Sequence, residues 1–253
     1  NYTQSIRVGA AGGIGTPASA LAAFMMGAAY VVTGSINQSC VEAAASEHSK
    51  NLLAQAEMAD VTMAPAADMF EMGVELQVLK RGTLFPMRAK KLYDLYKNYE
   101  SIEDIPDNER LKIEEQIFRC SMQKVWEQTE EYFHSRDPHQ IKRAKEHPKR
   151  KMALIFRWYL GLSSHWSNTG QKGRETDYQI WAGPAIGAFN YWVKGSYLED
   201  VINRNTVDVA MQIMTGAAYL YRLSILQMEG VFLPSICRVY KPKPFLDNEK
   251  DEV

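Results

Sequence analysis

The chain has 253 residues, 46% hydrophobic and 23% charged, which is enough apolar material for one or two packed cores. Its formal net charge of -1 gives no global field directed at nucleic acid or an anionic membrane. Cys40, Cys120 and Cys237 are widely spaced, without a CxxC or metal-ligand pattern, which argues against a disulfide framework and for a reducing, cytoplasmic setting.

Residues 7–38 read as strand, Gly-rich turn, helix, strand and a second small-residue turn. Ile6 to Ala10 and Tyr30 to Thr33 are short apolar runs suited to buried strands. Between them Thr16 is a candidate N-cap and Pro17 falls at the first helical position, where its missing N–H costs nothing. Leu21, Phe24, Met25 and Ala28 then recur at helical spacing. Gly12 and Gly13 after the first strand, and Gly34 and Ser35 after the second, let the backbone approach a ligand and aim N–H groups at it. Two such turns after consecutive parallel strands make a phosphate cradle of the kind that follows the last two strands of many (β/α)8 barrels. Neither a Walker lysine nor GxGxxG is present. The stretch from Ala18 to Val32 is interrupted by Gly27 and is too short to span a bilayer.

Beyond the cradle the pattern is helical. Ser46 caps a helix expected over 47–58, with Leu52, Leu53 and Ala56 inward, and Asp60 to Met63 is a short apolar run ending at Pro65. Met69 and Met72 suit an adaptable apolar wall, or simply fill core gaps. A turn at Gly82–Thr83 precedes an amphipathic helix over 87–99 with Leu92, Leu95 and Tyr96 inward. SIEDIPDNE reads as a loop, and one long charged helix is expected from about Glu109 to Phe133, followed by a turn at RDPHQ. Met152 to Leu162 reads as a buried helix and SSHWSNTGQKGRETD as a polar loop whose Arg174, Glu175 and Asp177 invite a functional role. Gly183-Pro184 breaks the next element, where Trp181, Phe189 and Trp192 suit a core or domain interface. A last long helix is expected over 208–226, and KPKPFLDNEKDEV reads as a disordered tail.

The titratable groups form no hydrolytic or metal signature: the five histidines are scattered, and neither a triad nor HExxH occurs. His165 alone is flanked by an aromatic-rich segment, which makes it a candidate for substrate or carrier contact, a solvated role being the commoner outcome. Lys142, Arg143, Lys145 and His147–Lys151 form the strongest basic cluster; it would suit an acidic partner, although an exposed basic helix start is the commoner meaning.

The segments GAAGGIGTP, VTGSINQ, ADVTMAPAADMFEMGVELQVLKRGTLFPMRAKKLYDLY, SIEDIP, HPKRKMALIFRWYLGLSS, DYQIWAGPAIGAFN and MTGAAYLYR resemble the trans-acting enoyl reductases of polyunsaturated fatty acid and polyketide synthases, the PfaD-like family. The likeness runs to about Arg222. That family is related to nitronate monooxygenases and carries FMN on a TIM barrel. The resemblance implies an α/β plus α fold. Residues 1–68 would be the C-terminal part of the barrel (strands seven and eight and the following helix), 69–240 a helical domain and 241–253 the tail. It implies FMN phosphate against Gly12, Gly13, Gly34 and Ser35, NADPH as hydride source, and an enoyl thioester on an acyl carrier protein domain as substrate. Family members have further strand–helix units before this point. The chain is therefore expected to be the C-terminal half of a larger enzyme, its N-terminal barrel half supplying most isoalloxazine contacts and the proton donor. A homodimer is compatible with this reading, and no catalytic residue is assigned here. Nitronate oxidation is the runner-up reaction on the same scaffold. A reading of another class makes residues 70–240 a docking module for carrier or synthase partners.

Overall fold

Thr16 starts α1 (Pro17–Met25) through a reciprocal capping box with Ser19 in the computed structural model, which describes residues 6–245. Two compact units follow the chain's contacts, one made of residues 1–61 with 182–253, the other of residues 62–181 inserted between those segments. The contacts thus group residues 182–253 with the glycine turns and set the inserted unit's limits at residues 62 and 181, where the sequence reading places a division at residue 68.

In the split unit, β1 (Ala10–Ala11) pairs in parallel with β2 (Val31–Val32), Ala10 opposite Val31 and Ala11 opposite Val32. These strands are shorter than expected, and Ile6, Val8 and Tyr30 are exposed, because a two-stranded parallel pair has no further strand or layer to bury both faces. Among the described residues no closed barrel is formed; the α/β and helical character stand, and two strands do not close a barrel. The buried side of α1 is Pro17, Ala20 and Ala23, whereas Met25 is exposed. Small residues serve there because α1 packs closely on α9 (Thr206–Met228), whose Gly216 has Pro17 against it. Ser46 caps α2 (Glu47–Ala54), which ends earlier than expected, with Leu53 and Ala56 buried and a 3-10 turn over Met58–Asp60 after it. The segment after 181 supplies α8 (Ala185–Val193), with Phe189 buried, and α9, capped by Asn205. Gly187 of α8 lies so close to the 3-10 turn that a Cβ built on it would stand 2.1 Å from the Met58 nitrogen. The expected tail is anchored at its start: Lys241 Nζ donates to the carbonyls of Trp192 (2.9 Å) and Lys194 (3.0 Å), and Gln212 Nε2 donates to Lys243 O. Residues 246–253 of that tail lie outside the described residues.

The inserted unit begins with β3 (Val61–Pro65), which pairs with β4 (Glu75–Leu79). The chain returns along β4, where Val78 bridges Trp181 in antiparallel fashion and Leu79 N–H donates to Ile180 O at 2.9 Å. Entry and exit therefore use neighbouring strands, as a tolerated insertion requires. The helices are α3 (Phe85–Asn98), α4 (Asp107–Ile113), α5 (Met122–Arg136), α6 (Pro138–Glu146) and α7 (Pro148–Thr169), with α7 packed by α3, α5 and α6. Its core joins Phe70, Phe85, Leu92, Phe118, Phe156 and Tyr159.

Two helix expectations are corrected. The long charged helix is split: α4 widens into a π turn over Glu114–Phe118, Arg119 takes φ 58°, and Ser121 caps a new helix by accepting from Lys124 N–H. Glu114 holds the break by accepting from Met122 N–H at 2.6 Å. SSHWSN is not loop but the last turns of α7, since Ser163 satisfies its hydroxyl on Tyr159 O (2.8 Å) and the helix runs to a left-handed Gly170.

Candidate functional site

The parallel register of β1 and β2 sends the Gly12–Gly13 turn and the Gly34–Ser35 turn from the same end of the pair. Gly12 and Gly13 take φ 84° and 73°, a region that side chains rarely tolerate, and a Cβ at either, or at Gly34, would project into open space. All three are exposed. The start of α1 is closed by its own side chains: Gly15 N–H and Thr16 N–H donate to Ser19 Oγ (3.2 and 3.1 Å), and Ser19 N–H donates to Thr16 Oγ1 (3.3 Å). The donors available to an anion at this edge are thus those of the glycine turns rather than of the helix cap. Ser35 faces inward, its Oγ accepting from Gly183 N–H at 2.8 Å just before α8. Its hydroxyl proton has no acceptor among the described residues. Gly15 is pressed against Ala185 O, so α8 supports the cradle from behind. The chemistry of these groups, open glycines with backbone donors and one hydroxyl, is of the kind that suits a phosphate.

A buried arginine fixes the polypeptide beyond the second turn. Arg204 is 1% exposed, and its guanidinium donates to Leu198 O (2.9 Å), Ser39 Oγ (3.1 Å) and Glu199 O (3.1 Å) while lying over the Phe189 ring. Burial pulls its pKa down to about 10. Sequence reasoning missed Arg204, because its partners come from segments distant in the chain.

The remaining candidates fall in the inserted unit. Asp177 is fully buried, and its carboxylate accepts from Arg88, from Arg119 (3.2 Å), from Arg174 (3.1 Å) and from the Tyr159 hydroxyl (2.8 Å). Burial and then the Asp177 charge push the Tyr159 phenol far above its ordinary range. Arg174 also donates to the carbonyls of Ile117 and Phe118, stacks over Trp166, and so closes the π turn. The segment singled out for function is therefore the polar lock of the inserted unit. The basic cluster is largely engaged: Lys145 pairs with Glu130 (2.6 Å), Lys149 with Glu100 (2.7 Å), Lys151 with Glu103 (3.8 Å), and Arg150 with Glu71 (2.5 Å). Lys142 and Arg143 are exposed. His165 is exposed on α7 and borders a cavity; Met69 borders a second one, Met72 stands in solvent, and Trp181, expected in a core or domain interface, is 53% exposed. Among the described residues no His, Cys, Asp and Glu cluster suits a metal ion, and no helix is long and apolar enough to cross a membrane.

Known proteins share this sequence and fold. Residues 99–178 match the family model described as [acyl-carrier-protein] S-malonyltransferase, inserted helical domain, and all of them lie inside the inserted unit. The chain is 49% identical over 227 residues to a component of the polyunsaturated fatty acid synthase of a Thraustochytrium species, covering 88% of this chain and 15% of that protein. It is 47% identical over 234 residues to the polyketide biosynthesis protein PksE of Bacillus subtilis, covering 92% of this chain and 30% of the relative. The crystal structure of the enoyl reductase domain of MlnA, from the macrolactin biosynthesis cluster of Bacillus amyloliquefaciens, superposes with a TM-score of 0.85 at 40% identity, over 90% of this chain and 51% of that one. The chain is similar to segments of these biosynthetic proteins. It spans a minor part of the curated relatives and about half of the solved domain.

Proposed function

We propose that the chain is the C-terminal part of an FMN-dependent, NADPH-using enoyl reductase that acts in trans on enoyl thioesters carried by acyl carrier protein domains, in polyunsaturated fatty acid or polyketide biosynthesis. The observation that carries this reading is the likeness, at 40% identity across nine-tenths of the chain, to a solved enoyl reductase domain. The open glycine turns at one end of a parallel strand pair support the cofactor class, since their chemistry is that of a phosphate cradle.

FMN, when bound, would supply the hydride chemistry between NADPH and the β-carbon of the enoyl thioester, the α-carbon taking a proton as the double bond is reduced. The chain's own residues would hold FMN: Gly12, Gly13 and Gly34 through backbone N–H groups, and Ser35 through the hydroxyl proton left after its oxygen accepts from Gly183. Arg204 would keep the Ser39 segment, four residues beyond Ser35, in place. NADPH consumption with crotonyl-loaded carrier protein, by the chain joined to the proposed N-terminal barrel half, tests the reaction directly. Consumption that needs FMN and the enoyl thioester is expected; consumption supported equally by a nitronate in its place refutes the assignment.

A further inference from the structure

Two cavities of the inserted unit share Ala67, Asp68 and Gly161 in their walls and so meet beside α7. One, of about 680 Å³, has a mainly apolar wall including Met69, Val74, Leu76, Leu160 and Trp181. The other, of about 590 Å³, is bordered by Tyr132, Arg136, Arg157, Trp158 and His165, with Asp68 as the opposing charge. Each is of the size that holds a small-molecule ligand.

Gly161 occupies the junction. It sits in the middle of a 22-residue helix, where glycine is distinctly less favourable than alanine. No packing contact requires it, because a Cβ built there meets nothing within 4 Å. A side chain at this position would instead stand where the two cavities join. Trp158 adds an independent observation: its indole N–H is buried and without an acceptor among the described residues, beside the Tyr132 ring at 5.2 Å. A buried donor without a partner is costly, and an acceptor on a ligand would satisfy it. Arg136 donates to Tyr132 OH (2.5 Å) and stacks on that ring at 4.5 Å. Arg157 donates to Ala67 O (2.7 Å) and Glu71 (3.4 Å). A guanidinium carries five N–H donors, so both keep donors for an anion.

We propose that these joined cavities bind an extended apolar chain ending in a phosphate group, the chain lying against Met69 and Trp181, crossing α7 over Gly161, and presenting its anion to Arg136, Arg157 and the Trp158 N–H. That the chain and phosphate belong to an acyl phosphopantetheine rests on the reductase reading; a simple alkyl phosphate has the same chemistry. The test titrates the whole chain, without flavin, with octanoyl phosphopantetheine and with sub-micellar dodecyl phosphate, followed by tryptophan fluorescence and calorimetry. Saturable binding of at least one is expected, and the tighter of the two identifies the source. Gly161→Leu and Arg136→Gln should each weaken it about tenfold. Gly161→Ala should raise Tm while weakening binding, which separates an obstructed channel from a damaged fold. The proposal is overturned if neither compound saturates, or if Gly161→Leu binds both as tightly as the parent. Because no flavin is used, failure here leaves the reductase reading intact, and failure of that reading leaves the site standing.

Discussion

Replacing Asp177 by alanine should unfold the inserted unit at much lower temperature. The carboxylate is fully buried and is shared by three guanidinium groups and one phenol. Arg88 and Arg174 are themselves 14% and 17% exposed at the side chain, so both become nearly buried cations without a counter-ion. Arg119, at 41%, is hydrated and adds little. Removing one member of a buried ion pair typically costs about 3–5 kcal/mol, because the remaining charge is left unpaired. For a unit of this size each kcal/mol lowers the melting temperature by roughly 3–5 °C, so a fall of about 10–20 °C follows. Thermal melts monitored by tryptophan fluorescence would measure it, since Trp158 and Trp166 lie in this unit. Asp177→Asn, which keeps an acceptor but no charge, should fall between the parent and the alanine variant. A loss below about 1 kcal/mol for Asp177→Ala would refute the view that this network locks the unit.

Other outcomes follow from the split unit. Gly13→Asp should abolish FMN retention, since the carboxylate would stand where the proposed phosphate would bind and the residue is held at φ 73°; flavin released from equal amounts of the two proteins measures this. Gly187→Ala should destabilise by about 1–3 kcal/mol, because the added methyl meets backbone atoms of Glu57 and Met58 that cannot swing aside, and urea denaturation reads the change. Glu42 accepts from Thr206 N–H (3.0 Å) and Thr206 Oγ1 (2.9 Å) at the start of α9. A hydrogen bond from its own backbone first, then those from Thr206, hold its pKa below 4.5 against desolvation. Its contribution is therefore present above pH 4.5 and is lost as pH falls through the lowered value. Glu42→Gln should lower Tm at pH 7 and converge with the parent in acid.

Local signals in the sequence marked those parts of the fold that are local in space. Thr16-Pro17 and Ser46 announced their helices, and the two glycine turns announced a same-ended parallel pair. Polar composition misled at SSHWSN, where Ser163, bonded to a carbonyl one turn back, is as content in a helix as in a loop. The break at Arg119 was hidden because a left-handed arginine carries no compositional mark. The Asp177 lock and the Arg204 anchor join residues as far apart as 88 and 177, or 39 and 204, and periodicity says nothing at that range. The return of residues 182–253 to the first unit was illegible for the same reason. The two open glycine turns were readable by type and spacing, whereas the engagement of Ser35 Oγ by Gly183 was not.

The central claim is flavin binding, and it is tested most directly by the visible spectrum of the purified protein in which the chain is joined to the proposed N-terminal barrel half, after incubation with excess FMN and gel filtration. The account predicts a yellow protein that releases FMN on denaturation, with the colour lost in Gly13→Asp. A colourless parent protein, or FMN retained equally by Gly13→Asp, would contradict it.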